Sequence, residues 1–143
     1  MNGVLLILAG INGIAMVALA AIGSHGLNIA SDANRALFQT AWQIHAVHAA
    51  VLLALALVRR SSRLLQAAFL LIAVGTAAFC GPLYTPALGL PRPPVFFAPL
   101  GGFLLIAGWF SVVLTSVFRS REHYATAMPI MVSDNRHGRR PEH

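Results

Sequence analysis

The chain contains four long stretches without a single acidic or basic residue, and this feature constrains the fold more than any other. Each stretch reaches or exceeds the roughly 20 apolar residues that an α-helix needs to cross about 30 Å of hydrocarbon. The charge-free stretches are residues 1–31, 36–58, 64–91 and 93–118. Soluble domains carry about 25% charged residues, whereas this 143-residue chain carries 10% and is 57% hydrophobic. The sequence therefore predicts an integral membrane protein.

The expected fold is all-α, a four-helix transmembrane bundle with short loops. Spans are predicted near residues 4–22, 40–58, 64–84 and 97–118. They form one transmembrane domain over residues 1–118, and residues 119–143 form a basic, polar C-terminal tail. A cleaved signal peptide is disfavoured for the first span, because no positive residue precedes it and its apolar run is too long.

The arginines predict the orientation of the bundle. All ten basic residues are arginines, and eight of them lie in the second loop or after the last span. These eight are Arg59, Arg60, Arg63, Arg119, Arg121, Arg136, Arg139 and Arg140, and the other two are Arg35 and Arg92. Under the positive-inside rule both termini are expected to face the cytoplasm, with anionic headgroups reinforcing that orientation. Because the arginines flank helices, nucleic acid is not an expected partner.

Small residues indicate where the helices approach one another. Ala9 and Gly13 make a small-xxx-small pair in the first span, and Ala73, Ala77 and Gly81 make a longer stripe in the third. Such residues let helix backbones pack closely in lipid. They predict packed helices and no particular function.

The spans also contain few side chains that could take part in catalysis or ion transport. They contain no Asp, Glu, Lys or Arg, which argues against the carboxylate relay of a proton pump or ion-coupled carrier. The titratable groups that remain are His45, His48, Cys80 and Tyr84. A single cysteine excludes an intramolecular disulfide and a thiolate metal cluster.

The sequence nevertheless predicts a candidate ligand-binding site in the outer half of the bundle. At about 1.5 Å per residue, His48 and Asn12 fall near the same depth, His25 follows the first span, and Tyr84 ends the third. These four residues could bind a headgroup, a quinone, a metal or the edge of a cofactor. The alternative is structural: His48 hydrogen-bonds Asn12 or a backbone carbonyl, and His45 faces the interface or a neighbouring helix.

Neither a catalytic nor a metal site is expected. His45 and His48 share a helix face, and imidazole suits zinc, copper or haem iron. A catalytic zinc site needs three protein ligands, however, and only His25 remains on that side. Ser24 and His25 have no acidic partner of the kind a hydrolase uses. No cofactor is required, although a bound lipid or quinone is compatible with the sequence.

Four short motifs occur in an order that is typical of one family. The motifs are AAIGSHGL at residues 20–27, FQTA followed by a histidine at 38–48, AFCGPLY at 78–84, and APLGGFLLIAGW at 98–109. With these motifs the chain resembles the YgdD-type family of small four-helix bacterial inner-membrane proteins, a domain of unknown function. The resemblance covers roughly residues 3–118 and brings no established reaction with it.

The family pattern carries over residue by residue. The matched positions are His25, Gly26, Phe38, Ala41, His48, Gly81, Tyr84, Pro99, Gly101, Gly102, Gly108 and Trp109. The resemblance implies a structural role for most of them, and His25, His48 and Tyr84 are also ligand candidates. The chain departs from the family where aromatic residues often precede the second-span histidine, since Ile44 and Val47 stand there. His45 is not part of the pattern, which weakens a paired-histidine metal site.

Two functions are compatible with these features. The preferred one is an accessory or assembly subunit without catalytic chemistry, packed against a larger membrane protein complex; small size and the missing intramembrane charge favour it. The alternative is an oligomeric protein that handles a small ligand, lipid, quinone or ion in an outer-half His/Tyr pocket. The expected partners are the lipid bilayer and other membrane subunits. The expected location is the bacterial inner membrane, with several spans.

Overall fold

The computed structural model describes residues 2–26, 31–58, 62–115 and 117, and the described residues form helices without any strand. The helices are α1 (Asn2–Ala21, followed by a π-helical turn at Ile22–Gly26), α2 (Asp32–Leu57), α3 (Arg63–Tyr84) and α4 (Phe97–Thr115). All four are long and apolar enough to cross a membrane. The predicted all-α class and its four spans are confirmed. The predicted tail, residues 119–143, lies outside the described residues.

Serine side chains begin two of the helices. Ser31 Oγ accepts a hydrogen bond from the Asn34 N–H at 3.3 Å, and Ser62 Oγ accepts one from the Leu65 N–H at 3.2 Å. Both satisfy backbone donors that the first helical turn leaves without a partner. Because Ser31 caps α2, this helix starts well before the apolar segment that was predicted as its span.

The connection from α3 to α4 is tied to the beginning of α2. Asn34 Nδ2 donates to the Pro86 carbonyl at 3.4 Å, and Arg92 Nη2 donates to Asn34 Oδ1 at 3.2 Å. Gly89 has a φ of +69°, in the left-handed region that favours glycine. The end of α3 is thereby held beside the first turn of α2, which brings Tyr84 over the second helix.

The core consists of two clusters that meet along α2, the helix that packs against both α1 and α3. One cluster takes residues from all four helices: Ala9, Leu52, Ala56, Phe69, Ile72 and Leu105. The other contains Phe38, Ala41, Cys80, Tyr84 and Ala87. His45 and His48 lie on α2 between Ala41 and Leu52, so both histidines sit where the two clusters meet.

Glycines allow α3 and α4 to touch backbone to backbone. A Cβ on Gly101 would overlap the backbone of Phe79, and one on Gly75 would lie 2.9 Å from the Leu105 nitrogen. Gly108 sits against α3 one heptad after Gly101. Close approach of this kind is how helices associate in lipid, where burying apolar surface brings little gain.

This contact follows a different face of α3 from the stripe suggested by the sequence. Ala77 is exposed, and a Cβ on Gly81 would have no heavy atom of the described residues within 4 Å. A Cβ on Gly102 would lie 3.8 Å from the Phe79 ring, an ordinary contact, and Pro99 is exposed. Of the glycines in the family pattern, Gly101 and Gly108 therefore carry the α3–α4 contact.

Candidate functional site

His48 has both ring nitrogens occupied. Its Nδ1–H donates to the Ile44 carbonyl at 2.7 Å, and its Nε2 accepts a hydrogen bond from Trp109 Nε1 at 3.3 Å. The two rings meet edge to face, with centroids 6.2 Å apart and planes at 71°. A neutral imidazole has one donor and one acceptor, so His48 has no lone pair left for a ligand. It links α2 to α4.

His45 is the histidine that meets Tyr84. The Tyr84 hydroxyl lies 3.4 Å from His45 Nδ1, and the ring centroids are 6.2 Å apart. Phe38 packs edge to face against Tyr84, with ring centroids 5.1 Å apart and planes at 67°. His45 and Tyr84 are 6% and 5% exposed. The pair is thus enclosed by α2 and α3.

Asn12 approaches the same histidine from α1. Its backbone lies close enough to the His45 imidazole to interact with it, although no hydrogen bond of good geometry joins His45 Nε2 to this or any other group of the described structure. The Asn12 side-chain oxygen is also buried without a hydrogen-bond partner there. The structure therefore gathers Asn12, His45 and Tyr84 in one place.

The structure brings together two of the four residues predicted to bind a ligand. Asn12 and Tyr84 both flank His45, and His48 points to Trp109 instead. The backbones of His25 and Gly26 belong to the π-helical turn, but the side chain of His25 lies outside the described part of the structure. The ligand-binding role of these residues stays a prediction.

The spacing of the buried positions in α2 could have predicted that His45 faces the core. The positions 38, 41, 45, 48 and 52 alternate in steps of three and four, and all five are buried. This is the spacing of a helix face that packs continuously against its neighbours. Both histidines belong to that face, so spacing alone could not separate the one with a free nitrogen from the one without.

The π-helical turn at the end of α1 packs on the same cluster. Ser24 Oγ donates to the Ala20 carbonyl at 2.8 Å, and a Cβ on Gly23 would overlap the ring of Phe38. π-helical turns occur frequently at functional sites. Here the turn holds Gly23 against Phe38, which in turn holds the Tyr84 ring.

No group of three or more His, Cys, Asp or Glu side chains that could hold a metal ion occurs among the described residues. Cys80 is buried as a free thiol in the second core cluster. Among the described residues, the buried side-chain polar atoms without a hydrogen-bond partner are Asn12 Oδ1 and His45 Nε2.

A separate apolar groove is formed by α1 and α2, with a volume of about 730 Å³. Small side chains make up most of its wall, and none of the three core polar residues lines it. The lining residues are Ala9, Gly10, Gly13, Ile14, Met16, Val17, Ala18, Ala46, Ala49, Ala50 and Leu53.

Comparison with known proteins decides the family. Residues 19–102 match the family model described as "Protein of unknown function (DUF423)". The chain belongs to this family. The DUF423 match covers α2 and α3 entirely and contains His45, His48 and Tyr84. The resemblance that the four motifs predicted is confirmed.

Two curated relatives extend the match. The chain is 34% identical over 121 residues to the "UPF0382 inner membrane protein YgdD" of Escherichia coli K12, covering 82% of this chain and 92% of the relative. It is 31% identical over 121 residues to the "UPF0382 membrane protein" of Haemophilus influenzae, covering 81% and 94%. No solved structure matches. This DUF423 member is a membrane protein, and relatives named as inner membrane proteins agree with its four apolar helices.

Proposed function

We propose that this protein is a non-catalytic accessory or assembly subunit of the inner membrane, and that its α1–α2 groove receives an apolar transmembrane helix of a larger complex. The observation that carries the proposal is the groove itself. It places small residues of two helices around about 730 Å³ of unfilled apolar space. Small residues at a helix surface admit the close approach of another helix in lipid.

The glycines of α1 support this role because they are not needed for helix contacts within the described structure. A Cβ on Gly10 or Gly13 would meet no heavy atom within 4 Å in the described structure, outside its own helical turn. Gly101, in contrast, is required for contact with α3. The first helix therefore carries glycines that make no close helix contact in the described structure and that line the groove.

The exposure of α1 points the same way. Only 6% of the residues in the most apolar part of α1 are buried, compared with 33% in α2 and 39% in α3. Its large β-branched residues on one side, Val4, Ile7, Ile11 and Ile14, are 58–72% exposed. They recur in steps of three and four, the spacing of a helix-packing seam. This ridge beside the groove offers a second helix both large and small side chains.

Site-specific crosslinking tests the proposal. A photoreactive residue at Gly13 of the full-length tagged chain, expressed in native membranes, should capture one other membrane protein at near-stoichiometric yield. The matched control is the same probe at Val74, which is 56% exposed on α3. Gly13→Leu should abolish co-purification of that protein, whereas Ala77→Leu, on an exposed part of α3, should leave it intact.

The alternatives give different outcomes. Capture of only a second copy of this chain would replace the accessory role with a homo-oligomer. Capture of lipid alone at Gly13, with co-purification unaffected by Gly13→Leu, would refute helix docking in the groove.

The orientation in the membrane is part of the proposal. Eight of ten arginines lie in the second loop or after the last span, so both termini should face the cytoplasm. A C-terminal alkaline phosphatase fusion should then be inactive and a C-terminal green fluorescent protein fusion should fluoresce. The reverse pattern would contradict this orientation.

A further inference from the structure

The buried polar cluster of Asn12, His45 and Tyr84 has unused hydrogen-bonding capacity within the bundle. None of its three residues lines the groove. Asn12 stands ten residues after the first residue of α1 and nine before its last. At about 1.5 Å per residue, Asn12 is roughly 15 Å from either end of α1, whereas Tyr84 is the last residue of α3, so the cluster lies between the middle of the bundle and the end of α3.

The Tyr84 hydroxyl determines which nitrogen of His45 carries the proton. A buried phenol needs an acceptor for its proton, and its hydrogen-bond partner in the described structure is His45 Nδ1, at 3.4 Å. Tyr84 therefore donates and Nδ1 accepts. A neutral imidazole that accepts at Nδ1 carries its hydrogen on Nε2. His45 thus presents an Nε2–H donor.

Neither this donor nor the side-chain oxygen of Asn12 makes a hydrogen bond in the described structure. His45 Nε2 and Asn12 Oδ1 are the two buried side-chain polar atoms in the described residues that make no hydrogen bond. Leaving one such group unpaired costs about 1–3 kcal/mol. Both belong to the same contact between α1 and α2, so a single bound group can satisfy both.

We propose that His45 and Asn12 form a binding site for an uncharged hydroxyl group, with Tyr84 as the residue that positions His45. The hydroxyl oxygen accepts a hydrogen bond from His45 Nε2–H, and its hydrogen is donated to Asn12 Oδ1. The hydroxyl belongs either to an internal water molecule or to a membrane-soluble quinol or alcohol.

The chemistry of the site selects against other ligands. A metal ion needs a nitrogen lone pair, and Tyr84 occupies that of His45. An ionic ligand needs an opposite charge at this depth, and the described spans carry charged side chains only in the first turns of α2 and α3. A carbonyl compound can accept from His45 but leaves Asn12 Oδ1 unpaired. A hydroxyl group satisfies both atoms.

His48 provides an internal control for the tautomer. It carries its hydrogen on Nδ1, which donates to Ile44, while Nε2 accepts from Trp109. The two histidines are three residues apart on one helix and have opposite tautomers. Any measurement of ring protonation therefore compares both in the same sample.

Nuclear magnetic resonance of the full chain in nanodiscs, with ¹⁵N-labelled histidine rings, tests the site. We expect His45 protonated on Nε2, with this N–H showing either an exchange cross peak to water or a shift on titration with ubiquinol-1. Ubiquinone-1, which lacks the hydroxyl hydrogens, should bind at least about tenfold more weakly, the effect of one lost hydrogen bond. A water contact identifies internal water as the source, and a ubiquinol-1 shift identifies a membrane-soluble quinol.

Variants separate binding from packing. Asn12→Leu should abolish the water contact or weaken ubiquinol-1 binding at least about tenfold, whereas Leu8→Met, one turn before Asn12 on α1 and 43% exposed, should change neither. Tyr84→Phe should shift His45 toward a mixture of tautomers while leaving His48 on Nδ1. It is a second test should Asn12→Leu fail to fold.

Three results would overturn the proposal. They are His45 protonated on Nδ1, an Nε2–H that contacts neither water nor ubiquinol-1, and a hydroxyl contact that survives Asn12→Leu. Each is read from the histidine ring itself, so none depends on whether the groove binds another helix.

Discussion

Replacing Gly101 by alanine should loosen the α3–α4 pair, and the size of the effect can be worked out from the geometry. The new Cβ would lie 2.7 Å from Phe79 Cα and 2.8 Å from the Ala78 carbonyl carbon. Carbon atoms prefer separations of about 3.5–4.0 Å, so α4 must move away from α3 by about 0.8 Å or more. The obstructing atoms belong to the backbone and have no rotamer to change.

This displacement should cost about 1–3 kcal/mol of unfolding free energy, toward the upper end because it also separates the contacts at Gly75 and Gly108. The added methyl group brings little compensation, since lipid is as apolar as the helix interface. Unfolding in mixed micelles with increasing dodecyl sulfate, followed by circular dichroism, measures the change.

Gly10→Ala is the matched control. Gly10 is also inside an apolar helix, so any gain in helix propensity is common to both variants. Its Cβ meets no heavy atom within 4 Å in the described structure, and the change should stay within about 0.5 kcal/mol. Equal unfolding midpoints for Gly101→Ala and Gly10→Ala would refute the close contact between α3 and α4.

Two further predictions concern the contacts around the polar cluster. In a double-mutant cycle, His48→Leu and Trp109→Phe should each destabilise the protein and should couple by about 0.6 kcal/mol, up to about 1.7; additive effects in the same unfolding assay would contradict their hydrogen bond. Gly23→Ala should cost about 1–3 kcal/mol because its Cβ would overlap the Phe38 ring. Phe38→Leu in the same chain should recover much of that loss, and a loss that persists unchanged would argue against the contact.

The sequence by itself determined the class of fold and the approximate spans. Charge-free stretches of this length have few solutions other than membrane helices, because lipid leaves no partner for an unpaired backbone group. The start of α2 follows from local sequence as well, because serine is a preferred N-cap residue and Ser31 caps this helix. These properties depend on a few residues of local sequence, and the family motifs agreed with them.

Only the tertiary structure decided which small and polar residues matter. Sequence spacing favoured Gly81 for helix packing, but the α3–α4 contact runs through Gly75 and Gly101, because the rotation of each helix about its axis sets which face meets a neighbour. The tertiary structure also distinguishes the roles of the two histidines. His48 lies opposite Trp109 and is satisfied, while His45 lies under Tyr84 with one nitrogen unpaired. The hydrogen bonds of these histidines join residues that are 39 and 61 positions apart in the chain. They depend on how whole helices are placed, which local sequence does not encode.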